Sequence, residues 1–166
     1  MITQELVKSL FDYDPNTGVF KRKVTVSNNA KVGQTLDSKN SHGYLQAAIK
    51  KKSFKVHRLI WLYVYGEFPK DTIDHINGIR DDNRIENLRA CTNKENLQNK
   101  KLFINNTTGY TGVVKKGNKF IAQIGFNGKC KHLGYFLKAE DAHKAYCEAG
   151  IKYHTHNEHA KKVKEM

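Results

Sequence analysis

Hydrophobic positions in this chain change period several times, and each change marks an element. Leu6, Leu10 and Phe11 recur at helical spacing, so the chain opens on a short amphipathic helix. Asp14-Pro15-Asn16-Thr17-Gly18 reads as a turn, with Val19-Phe20-Lys21-Arg22 after it as a strand. A polar stretch through Ser27-Asn28-Asn29 follows. Residues 43–50 then alternate as a second strand, Lys50-Lys51-Lys52-Ser53 makes a hairpin tip, and Phe54-Lys55-Val56 returns, which gives a small basic sheet. Residues 57–65 are too apolar for a surface segment. They predict a buried helix with Trp61 in the core, ending at Gly66 ahead of Pro69.

From Thr72 the pattern is strand, loop, strand, helix. Residues 72–76 form the first strand, 77–86 a polar loop and 88–91 the returning strand. Thr92 and Glu95 fit a capping box, which places Asn96 in the first turn of a helix running to about Lys101. Residues 102–108 are polar and read as a linker. Beyond it, strands over 112–116, 119–126 and 129–134 are joined at the last step by Asn127-Gly128, a strong two-residue hairpin signal. Apolar positions 142, 145, 146, 149 and 153 then follow helical spacing over 139–153. The expected fold is α+β: a small N-terminal sheet with a ββα unit, then a three-stranded antiparallel sheet packed on one helix.

The charge is unevenly placed, which changes the picture. The net charge of +13 divides into +6 over residues 1–56, −1 over 57–92 and +8 over 93–166. Two basic arms flank a near-neutral centre, an arrangement suited to a polyanion gripped at a distance from a cation site. Cys91, Cys130 and Cys147 show no CxxC spacing, which argues for a reducing compartment and against structural zinc. No apolar run is long enough to span a bilayer and the first residues do not form a signal peptide, so no membrane partner is expected.

The near-neutral centre holds the chemistry. Asp74-His75-Ile76-Asn77-Gly78, Asn83, Asn87-Leu88-Arg89 and Asn96 fall within 23 residues. A carboxylate, an imidazole beside it and a carboxamide one hairpin later are what a divalent metal needs to hold and hydrolyse a phosphodiester. Asp74 and Asn96 offer hard oxygen ligands, and His75, mostly neutral at cellular pH, is the candidate general base. Asn87 is expected to tie the loop to the hairpin and to orient the His75 ring.

Over roughly residues 55–100 these positions resemble the HNH homing endonucleases of phages and introns. The resemblance is carried by His57-Arg58, Asp74-His75, Asn77-Gly78, Asp82-Asn83-Arg84, Asn87-Leu88-Arg89 and Asn96. It implies a single-metal ββα site, with His75 activating water and Asp74 and Asn96 binding Mg2+, for which Mn2+ is a possible substitute. Asn96 stands where many members have His, which argues against a soft metal, and the Cys pairs that hold zinc in some members are absent. His57 and Arg58 read equally as a phosphate clamp or as helix-terminus packing; Arg84 and Arg89 join them as candidate DNA contacts.

Residues 109–156 resemble the ethylene-response-factor (APETALA) type of DNA-binding domain, through Gly109-Tyr110-Thr111-Gly112-Val113, Phe120-Ile121-Ala122-Gln123-Ile124, Leu133-Gly134-Tyr135-Phe136 and the helix that follows. That resemblance implies a sheet entering the major groove, with Thr111, Val114, Lys116, Gln123, Cys130 and His132 on the DNA face. Gln123 is the best candidate for an adenine contact. Lys115, Lys116, Lys119, Lys129 and Lys131 are the candidate phosphate contacts.

The expected domains are a nuclease over 1–101 with its ββα core at 71–101, a linker at 102–108, the DNA-binding module at 109–157 and a basic tail at 158–166. The expected function is site-specific, metal-dependent cleavage of double-stranded DNA, as a nick or a double-strand break, by a monomer or homodimer. The expected setting is a phage-encoded protein in the cytoplasm of its bacterial host. The competing reading is a sequence-specific DNA-binding regulator whose nuclease centre is inactive.

Overall fold

Thr3 starts the first helix: its hydroxyl accepts from the Leu6 amide at 3.3 Å and satisfies one of the donors that a helix N-terminus leaves open. The computed structural model describes residues 2–98 and 106–154. The chain divides into two compact units, Met1–Thr92 and Asn93–Met166, so the division falls ahead of the expected linker.

In the first unit, α1 (Gln4–Leu10) runs directly into β1 (Phe11–Tyr13), which pairs antiparallel with β2 (Phe20–Arg22). Phe11 therefore belongs to a strand rather than to the helix. Strand alternation buries Phe11 and Tyr13 and exposes Asp12, and Phe11 stacks on Phe20 at 4.8 Å. In the connecting turn the Asp14 carboxylate accepts from the Asn16 amide and the Thr17 hydroxyl, at 2.9 and 2.7 Å. The turn closes on Gly18, at φ +73°. A Cβ there would sit 2.6 Å from the Arg84 amide nitrogen, so this turn lies directly against the 77–86 loop.

Next, β3 (Gln46–Ile49) pairs with β4 (Lys52–Lys55), and the tip between them is only Lys50-Lys51. α2 (Val56–Tyr65) follows without a break and turns Val56, His57, Leu59, Ile60 and Leu62 inward. It ends at Gly66, whose amide bonds the Leu62 carbonyl at 2.9 Å. Trp61 departs from expectation. It falls on the flank of the buried stripe, so it is only half-buried and packs on Tyr65 at 4.4 Å, while Leu59 and Ile60 fill the core.

β5 (Thr72–His75) pairs with β6 (Leu88–Cys91), with a single 3-10 turn (Ile85–Asn87) just before β6. Ile73 and Leu88 anchor this hairpin in the same core as Val7, Phe11, Phe20, Leu59 and Ile60. Each such buried side chain contributes about 1.5–3 kcal/mol.

The second unit begins with α3 (Asn93–Gln98), directly after Thr92. The rest of that expected helix and most of the linker lie outside the described residues, as does the 158–166 tail. β7 (Val113–Lys116), β8 (Lys119–Phe126) and β9 (Lys129–Phe136) form one antiparallel sheet in that order, and α4 (Ala139–Tyr153) packs on one face of it. Val113 and Ala122 meet Ala142, and Ile124 meets Tyr146, Cys147 and Ala149. The architecture is the α+β arrangement read from the sequence. β9 extends to Phe136 through a bulge that shifts the register between Ala122 and Gln123. All three cysteines are free, and among the described residues no helix is long and apolar enough to cross a membrane.

Candidate active site

The last three residues of β5, Ile73, Asp74 and His75, are all buried, which breaks the usual in-out alternation of a strand. Ile73 enters the core while Asp74 and His75 are covered by polar neighbours, at 8% and 3% exposure. A carboxylate and an imidazole are thus held side by side, away from bulk water.

His75 owes its placement to Asn83. The ring Nε2 lies 3.1 Å from the Asn83 Oδ1. An amide oxygen only accepts, so Nε2 carries the proton and Nδ1 is the basic nitrogen. Asn83 is itself 1% exposed, and its backbone carbonyl accepts the Tyr13 hydroxyl at 2.9 Å. The turn at Gly18 abuts its backbone from the other side. Burial holds the His75 imidazole below its ordinary pKa, against the raising pull of the Asn83 bond and of Asp74, Asp82 and Asp81. The ring therefore stays neutral and ready to take a proton.

Asn87 has half of its expected role. Its Oδ1 accepts from the Asn77 amide at 3.0 Å and its Nδ2 donates to the Asp82 carbonyl at 2.8 Å, so it ties the loop to the hairpin. The bond to the His75 ring comes from Asn83, which the sequence offers only as one member of Asp82-Asn83-Arg84. Nothing in the local pattern distinguishes one loop amide from another.

His57 is a second correction. It is 4% exposed, its ring meets that of His75 edge-on at 5.0 Å, and Tyr44 covers both imidazoles, at 5.2 and 5.9 Å. Burial, and next the neighbouring His75, push its pKa down to about 3. A neutral interior ring cannot clamp a phosphate by charge, so helix packing is the reading that holds. Arg58 is half-buried and lies over the Phe68 ring at 5.2 Å.

Arg84 and Arg89 are both engaged by carboxylates. Arg89 lies directly opposite Asp74 in the β5–β6 register and reaches its Oδ2 at 2.8 and 3.1 Å. Arg84 pairs with Asp82 and Glu86, each at 2.8 Å. Asp82 also accepts from Asn77 at 2.7 Å, which makes it the hub of the loop. Arg84, then burial acting in the opposite sense, then Asn77 set its pKa, which ends at about 2. A folded-state pKa below the unfolded value gives stability that is complete above the ordinary Asp range and is lost as pH falls towards 2. The melting temperature of wild type is therefore expected to fall between pH 4 and pH 2, and that of Asp82→Asn to fall less steeply over the same window. Equal slopes in thermal melts would remove Asp82 from this role.

Asn96 lies on α3 in the second unit and is half-buried. Among the described residues no three of His, Cys, Asp and Glu converge as a metal-holding group. A cation here would rest on the Asp74 carboxylate, with water and phosphate completing its shell. That sparse, hard donor set fits Mg2+, which dehydrates reluctantly and keeps several waters. Arg89 competes for the same carboxylate.

In the second unit, strand register sorts the candidate DNA contacts. Residues directly opposite share a face, so Val114 with Ile121 and Tyr135, and Gln123 with His132, point away from α4, as do Lys116, Lys119 and Cys130. Gln123 and Cys130 touch there at 3.6 Å. Lys115, Lys129 and Lys131 fall on the helix side, opposite Phe120, Phe126 and Ile124, and Lys131 donates to the Tyr153 hydroxyl at 2.6 Å. The five lysines read together as phosphate contacts thus split two and three between the faces. Thr111 precedes the sheet, half-buried, with its carbonyl accepting from His143 Nδ1 at 3.1 Å.

Residues 54–98 match the family model described as HNH endonuclease, so the chain carries an HNH endonuclease domain there. An uncharacterized HNH endonuclease of Acanthamoeba polyphaga mimivirus is 37% identical over 78 residues, 42% of this chain and 20% of that protein. The chain thus spans about a fifth of the length of this curated relative. A solved structure described as DNA binding and cleavage by the HNH homing endonuclease I-HmuI is similar at 27% identity and a TM-score of 0.39, over 54% of this chain and 50% of that one. The family match ends at residue 98 and does not reach the three-stranded sheet.

Proposed function

We propose that this chain is a divalent-metal-dependent endonuclease that hydrolyses phosphodiester bonds in double-stranded DNA, in the manner of an HNH homing enzyme. One observation carries the reading: a buried, neutral His75, fixed through Nε2 by Asn83, directly follows Asp74 on β5 inside an HNH domain. Asp74 and Asn96 would hold Mg2+, or Mn2+ in its place, through a carboxylate and a carboxamide oxygen. Bound there, the ion supplies positive charge at the scissile phosphate and the leaving oxygen. His75 accepts the proton of the attacking water at Nδ1 while Asn83 keeps the ring from turning. Tyr44 and His57 cover the ring and keep the base dehydrated. One such centre per chain cuts one strand, so a double-strand break takes a homodimer or two successive cuts.

The sheet of the second unit is the candidate reader of sequence, as in ethylene-response-factor type domains. Its open face combines Lys116 and Lys119, suited to phosphates, with Gln123, suited to adenine N6 and N7.

The regulator reading draws on one observation, the ion pair of Arg89 with Asp74. If Arg89 holds that carboxylate permanently, no cation binds and no DNA is cut. Substituting the two ligands separates the readings. Asp74→Ala and Asn96→Ala are each expected to slow nicking of duplex DNA at least about 100-fold, the scale of losing a single group that stabilises transition-state charge. Raised Mg2+ should partly recover Asn96→Ala. Wild type that binds duplex but does not cut it at any Mg2+ concentration would favour the regulator.

A further inference from the structure

The β3–β4 hairpin turns through two lysines where its backbone favours asparagine and glycine. Ile49 pairs with Lys52, so Lys50 and Lys51 are the entire loop, with φ of 48° and 64°. A two-residue loop needs positive φ for its twist to match that of the strands, and a long side chain bears a steric cost in that region. Elsewhere the same chain meets the same demand with Asn127-Gly128, at φ of 51° and 75°, and with Gly117 at 59°.

Packing does not account for the lysines. Lys50, Lys51 and Lys52 are all exposed, and among the described residues no carboxylate pairs with any of them. The surrounding sequence has no acid at all from residue 38 to residue 66. Strain kept at an exposed cationic tip points to a binding role.

The mounting of this tip says what it would bind. β4 runs straight into α2, whose second residue, His57, packs on His75. Lys55 lies over the ring of Tyr44 at 4.5 Å, and Tyr44 covers His75. The lysine tip and the proposed base are therefore parts of one packed frame. Taking the nuclease reading as its basis, we infer that Lys50 and Lys51 form a finger that grips the phosphate backbone of the duplex beside the cut. At about 3.3 Å per strand residue, the five residues from the tip to α2 span roughly 17 Å. That is about five nucleotides of one DNA strand.

Replacing the pair in the full chain with the unstrained turn, Lys50→Asn with Lys51→Gly, separates binding from folding. The melting temperature should rise by about 4 °C or more as strain is relieved. In fluorescence anisotropy with a fluorescent duplex, the dependence of log affinity on log salt should become shallower by about 2, one for each lost phosphate contact. Lys50→Arg with Lys51→Arg keeps charge and strain and should match wild type in both measurements. A salt slope that does not change in the Asn-Gly variant, or a melting temperature that does not rise, overturns the finger. Wild type that binds no duplex even at low salt overturns the nuclease reading first, and the finger with it.

Discussion

His75→Ala is expected to slow cleavage of duplex DNA by about 10²–10⁴-fold, the usual contribution of a positioned general base. Duplex affinity should stay unchanged, because His75 is 3% exposed and offers no charge to a phosphate. The substitution also leaves the Asn83 Oδ1 without its donor inside the protein, at a stability cost of about 1–3 kcal/mol. Thermal melts must therefore accompany the rates, and a single-turnover nicking assay well below the melting temperature keeps the two effects apart. Cleavage near the wild-type rate in folded His75→Ala would remove it as the base.

Gly112→Ala is expected to cost the second unit about 2–4 kcal/mol, from overpacking together with a positive-φ penalty. Gly112 has φ +74°, and a Cβ there would collide with the ring of Tyr146, a buried residue of α4. Gly109 supplies the control. It has the same φ of +74° but nothing within 4 Å, so Gly109→Ala should cost only the backbone part, about 1 kcal/mol. Comparing the two melting temperatures measures the collision itself. Equal losses would mean that Tyr146 moves aside freely and that the close packing of strand start on helix is not a constraint.

How much of this was legible in the sequence follows from how local each signal is. Period-2 alternation and Asn127-Gly128 are enough to fix the three-stranded sheet. Charge alone does not say which face a lysine takes; once the register is known, Lys131 must share a face with Ile124. The centre showed the same limit. Asp74 and His75 announced themselves by adjacency, but the partner of His75 comes from a polar loop eight residues on. That partner is fixed by Tyr13, 70 residues earlier. No window of sequence contains that contact. For His57 the sequence leaves phosphate clamp and helix packing equal, because it does not reveal that Tyr44 and His75 close over the ring.

The central claim, metal-dependent cleavage of duplex DNA by the HNH domain, is tested most directly on supercoiled plasmid carrying the cognate site. Full-length wild type with Mg2+ should convert it to relaxed circles. Excess chelator should abolish the conversion, and restored Mg2+ should recover it. Relaxation that continues in chelator, or none in Mg2+ from protein that demonstrably binds the plasmid, would contradict the account.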